Sequence, residues 1–93
     1  MSRQVIYTDL CKMLDLPFSD VDIALACVPA VPELNRRLYD LGQALDALEA
    51  FYLRRSEDSL KRYLRRPLPI HRERVRRAEE KRDRIRKWRE FNE

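Results

Sequence analysis

Cys11, Cys27 and His71 are the residue types that could hold a metal or act as nucleophile and base, and their spacing argues against both roles. A metal site is normally nucleated by a close ligand pair such as Cys-x-x-Cys. Here the three residues lie far apart, and a fourth ligand would have to be a scattered carboxylate. The single His has no Ser or Cys nucleophile beside it, and the carboxylates fall on helix faces or opposite arginines, so no catalytic set is expected. The chain is therefore read as non-enzymatic, with no metal, no cofactor and no small-molecule substrate. Cys11 and Cys27 are expected to be small buried hydrophobes. The segment Met1–Gln4 leads into no apolar leader core, so no disulfide is expected either.

Charge offers more. Of 93 residues, 20 are Lys or Arg and 16 are Asp or Glu. Residues 1–53 hold four bases and eight acids, net −4, whereas residues 54–93 hold sixteen and eight, net +8, which together give the overall +4. Arg54, Arg55, Lys61, Arg62, Arg65 and Arg66 cluster before Pro67, and Arg72, Arg74, Arg76 and Arg77 after it. Arginine pairs bidentately with phosphate and carboxylate. Tyr52, Tyr63, His71 and Trp88 are available to stack on bases or on guanidinium planes. These residues are candidate contacts to a phosphate backbone or to an acidic protein. The competing reading is a solvated helix face neutralised by its own acids, or by the acidic first half of the chain.

One glycine in the whole chain excludes glycine-rich phosphate loops and nucleophile elbows. The longest apolar run, Ile23–Val28, is far too short to span a bilayer, so no membrane is expected and the protein is placed in the cytoplasm, or in the nucleus of a eukaryote.

The elements that must position these residues are read as all-α, in a single small domain over residues 1–93. An acidic helical hairpin is expected over 1–31. Its first helix covers 8–15, capped by Thr8 or extended back from Ser2 through Val5–Tyr7. Its second covers 20–28, capped by Ser19, and Pro17 and Pro29 end the two helices. Val5-Ile6-Tyr7 is the only strand candidate and has no second run to pair with.

A long helix is expected over 32–66, with Pro32 in its first turn. Leu34, Leu38, Leu41, Leu45, Leu48 and Tyr52 follow at steps of 4, 3, 4, 3 and 4, an a/d seam. The alternative is a break near Ser56. The seam is read as the interface of a homodimer, with an ordinary core as the competing reading. Residues 67–70 form a connector, and a basic helix follows over 71–93. That helix carries Glu73–Arg77, Glu80–Arg84 and Asp83–Lys87 pairs and a thin apolar stripe of Val75, Ala78, Ile85, Trp88 and Phe91.

Two short resemblances add to this. Thr8–Leu25 resembles a helix-turn-helix: Asp9–Leu16 supply a first helix and turn, and Ser19–Leu25 a second helix with Val21 and Leu25 inward. It departs from that pattern at Asp15, where the turn glycine usually stands. Asp20 and Asp22 on the would-be recognition helix would repel DNA, so a plain helical hairpin is the preferred reading. Arg66-Pro67-Leu68-Pro69 resembles the opening of an SH3-binding peptide but lacks its second turn, and reads as a helix connector.

The functional expectation is a small protein-binding module: a regulator, adaptor or inhibitor that occupies a partner's surface and self-associates. A nucleic-acid-binding protein using residues 54–89 is the alternative, and an assembly subunit of a larger complex the third reading. Such a chain suits a phage, viral or bacterial accessory protein.

Overall fold

In a computed structural model, which describes residues 3–34 and 36–92, the chain divides into two compact units, residues 1–48 and 49–93. Ser2, one of the expected helix starts, lies outside the described residues.

The first unit opens with strand β1 (Gln4–Ile6), followed by helices α1 (Tyr7–Leu14) and α2 (Phe18–Leu25). Strands β2 (Ala30–Glu33) and β3 (Arg36–Asp40) come next, and then the start of helix α3 (Leu41–Arg65). The chain is mostly helical, as the all-α expectation has it, and adds a small three-stranded antiparallel sheet of order β1-β3-β2 that the expectation lacked. Val5 and Ile6 do find a partner: Val5 stands opposite Tyr39 and Ile6 opposite Leu38. β2 pairs with the other side of β3, from Ala30 opposite Tyr39 to Glu33 opposite Arg36.

The expected helix over 32–66 therefore begins only at Leu41, and Leu34 and Leu38 leave the helical seam for the hairpin. Pro32 biases Val31 to an extended conformation and lacks an N–H, which an edge strand such as β2 tolerates. Leu34 has φ 51°, a left-handed geometry that turns the chain back. Asp40 then starts the helix: its Oδ2 accepts the Gln43 N–H at 3.0 Å, satisfying one donor of the first turn. From Leu41 the helix runs unbroken to Arg65, through the position near Ser56 where a break was the alternative.

α1 lies one residue N-terminal to its expected span, and α2 starts two residues and ends three residues earlier than expected. Ile6 and Pro17 stand at their N-caps without a side-chain bond, in place of Thr8 and Ser19. Asp15 takes the left-handed conformation (φ 51°, ψ 53°) in the turn between them. Val5, Leu10, Leu14, Leu16, Val21, Leu25 and Tyr39 are buried, and so are Leu41, Ala44, Leu45 and Leu48 on α3. Burying each large aliphatic side chain contributes roughly 1.5–3 kcal/mol before conformational entropy is counted.

The second unit pairs the rest of α3 with helix α4 (Pro69–Asn92), which starts two residues earlier than expected, with Pro69 in its first turn. Its two fully buried large side chains among the described residues are Tyr52 and Ile85. The other buried positions are Ser56, Ser59 and Ala78, small enough for the two helices to approach closely. Phe91 does not join the apolar stripe and is 85% exposed. Glu49 receives Arg89 and lies 4.0 Å from the Arg86 Nε, and the Ser56 hydroxyl donates to Glu79 at 3.5 Å. These contacts set an antiparallel register. Among the described residues, no helix is long and apolar enough to cross a membrane.

Candidate nucleic-acid interface

Within the first unit, the α1–α2 pair, the end of β1 and strand β3 border one shallow groove. Its volume is about 400 Å³, and its lining includes Tyr7, Phe18, Asp22, Arg36, Arg37 and Tyr39. A neighbouring depression shares Asp22, Arg37 and Tyr39 and adds Ile23 and Ala26. The outward residues of α2 are Phe18, Ser19, Asp22 and Ile23. Asp20, one of the two carboxylates expected to repel DNA, is instead turned inward and only 6% exposed. Helical phase explains this: Asp20 and Val21 share the inward arc, whereas Asp22 and Ile23 fall on the outer one.

Tyr7 fixes the near wall of the groove. Its hydroxyl donates to the Phe18 carbonyl at 2.8 Å, and the two rings meet edge to face with centroids 4.4 Å apart. Burial, followed by the neighbouring Asp22 carboxylate, pushes the Tyr7 phenol up to about 12. It thus stays a neutral donor at any ordinary pH. Opposite stand Arg36 and Arg37 on β3, both exposed and with no ion pair among the described residues.

Sequence reasoning missed both arginines because it placed them inside a helix. The signal was present: Asp40-Leu41-Gly42-Gln43 is a capping box, which marks a helix start after the arginines rather than before them.

The expected basic contacts separate into three groups. Arg76 is held by Glu73 and Glu80, and Arg77 donates to Glu73 at 3.1 Å, so these two are neutralised along α4. These hydrogen bonds from Arg76 and Arg77 hold the Glu73 carboxyl below the usual range. Arg55 lies over the Phe51 ring at 4.5 Å. Arg54, Lys61, Arg62, Arg65, Arg66 and Arg72, by contrast, are exposed and meet no acid among the described residues. Five of them, Lys61 to Arg72, gather at the α3–α4 corner, where the Leu68 N–H donates to the Arg66 carbonyl at 2.7 Å.

Of the expected seam, Leu41, Leu45, Leu48 and Tyr52 are buried within the single chain, and Leu34 stands alone at the hairpin tip, 97% exposed. Cys11 is half-buried, with burial raising its thiol pKa, while Cys27 is exposed rather than buried as expected. No group of three or more His, Cys, Asp or Glu among the described residues is placed to hold a metal.

This chain matches no known protein family, and no curated protein or solved structure is significantly similar to it. The reading of the site rests on its geometry alone.

Proposed function

We propose that this protein binds double-stranded DNA, with α2 presented to the major groove and the β2–β3 hairpin gripping the flanking backbone. The observation that carries this reading is that Arg36 and Arg37 line the same groove as Phe18 and Asp22 of α2, while Asp20 is buried. The major groove of B-form DNA admits a helix, whereas that of A-form RNA is too narrow. Ser19, Asp22 and Ile23 supply the chemistry of base edges. A carboxylate accepts from the cytosine amino group, and an apolar side chain meets the thymine methyl. Arg54, Arg62, Arg65, Arg66 and Arg72, which meet no acid among the described residues, add sequence-independent attraction to phosphates. On this reading the protein works by binding, without catalysis or a cofactor.

Titration of a fluorescent generic duplex at 50 and 200 mM salt tests the proposal. Binding that weakens steeply with salt is expected, and absence of binding at 50 mM refutes it.

A protein partner is the second reading. It is favoured by the exposure of Phe18 and Ile23, at 62% and 58%. The first unit also holds four bases and seven acids, net −3, a charge that suits a basic partner. No duplex binding, combined with loss of partner binding in Phe18→Ser, would favour it.

A further inference from the structure

We infer that the outer face of α3 in the second unit is an interface with a second copy of this chain, joined antiparallel through Leu53, Leu60 and Leu64. The inference stands independently of the DNA reading. The three leucines recur at i, i+7 and i+11 and fall within about 40° of one another around the helix. All three are exposed, at 38%, 46% and 74%. This stripe is distinct from the buried line of Tyr52, Ser56 and Ser59 that faces α4.

Two further observations select a second copy as the occupant. First, a two-helix unit whose fully buried large side chains among the described residues are Tyr52 and Ile85 has a very small core. Units of this size are generally stabilised by further burial, and oligomerisation is one of the usual routes. Second, the flank of the stripe is self-complementary. Glu57 and Lys61 lie on the same side of it, both exposed. In an antiparallel pair related by a two-fold axis, each flank meets its own copy. With Leu53 set against the second copy's Leu64, Glu57 falls opposite the second copy's Lys61, and Lys61 opposite its Glu57. A parallel pairing would place this flank on opposite sides of the seam in the two copies, and Glu57 and Lys61 would not meet their counterparts.

Sedimentation equilibrium of the full chain tests this, with helix content checked by circular dichroism. The wild type should sediment at twice the chain mass of 11.3 kDa, and Leu60→Asp at the single-chain mass. Glu57→Lys and Lys61→Glu should each weaken the dimer by at least tenfold, because each places like charges opposite one another twice. Mixing these two variants should restore a dimer, since every facing pair then has opposite sign. A monomeric wild type overturns the inference, as does an undiminished mass for Leu60→Asp. Failure of the mixed variants to pair overturns the antiparallel arrangement.

Discussion

Replacing Arg36 and Arg37 together by alanine separates groove contacts from general basicity. Both side chains are exposed and carry no ion pair among the described residues, so their loss should leave the hairpin intact. Each phosphate contact contributes about 0.9 to the slope of log affinity against log salt. Removing two contacts should therefore flatten that slope by about 1.8. Between 50 and 200 mM salt, the wild type should lose roughly 12-fold more affinity than the double variant. The charge-matched control is Arg76→Ala/Arg77→Ala, which removes the same formal charge from residues already held by Glu73 and Glu80. Its slope should change much less, because those guanidinium groups release few counterions. Fluorescence anisotropy on one duplex at four salt concentrations measures all three proteins. Equal flattening in both variants would refute the assignment of Arg36 and Arg37 as contacts and leave only net charge at work. An unchanged slope in the hairpin variant would refute the docking face itself.

Three further perturbations address the frame that holds this face. Asp40→Ala removes the side-chain acceptor of the Gln43 N–H and should cost about 1 kcal/mol; hydrogen exchange at Gln43 should accelerate, and Asp40→Asn should largely restore protection. Tyr7 titrates near 12 when folded, against an ordinary 10. The folded state therefore holds the proton more tightly, and the contribution of Tyr7 to stability is complete below pH 10 and lost as pH rises from 10 to 12. Urea midpoints across that range should fall more steeply for the wild type than for Tyr7→Phe. A thiol reagent at pH 8 should modify the exposed Cys27 rapidly and Cys11 slowly; equal rates would contradict the burial of Cys11.

The helices of this chain were legible where the apolar residues recur on one face. Leu10 and Leu14 are the buried pair of α1, and Val21 and Leu25 that of α2, as their spacing predicts. The buried line Leu41, Leu45, Leu48 and Tyr52 likewise follows the helical period. The same rhythm misled upstream. Leu34 and Leu38 fall on the helical register by coincidence, although one tops a turn and the other is paired in a strand. Local cues that outweigh the period were present in Val31-Pro32 and in the Asp40–Gln43 box. The pairing of β1 with β3 left no such cue, because a three-residue strand acquires its identity from a partner more than thirty residues away.

Charge was legible as a total but not as a pattern. Glu73–Arg77 forms as its spacing predicts, and Glu80 also reaches back to Arg76. The sequence could not show which arginines would be left without an acid, because several partners lie within reach of each one.

Leu34 is where the fold and the proposed contact face impose opposing demands. A leucine at φ 51° pays a steric cost of roughly 1–2 kcal/mol, because its Cβ crowds the backbone in the left-handed region. At 97% exposure it recovers almost none of this through burial. Stability alone therefore favours asparagine, which tolerates the conformation and would be at ease in water. Leu34→Asn should raise the stability of the first unit by about 1 kcal/mol, read as a higher urea midpoint. Strained residues recur where a side chain is held out for contact, and relieving the strain there commonly costs function. If the hairpin tip enters a DNA groove, the same variant should be more stable and bind duplex more weakly. Weaker binding without added stability would refute the strain argument. Added stability with unchanged binding would remove Leu34 from the contact face and leave Arg36 and Arg37 to carry the hairpin's share.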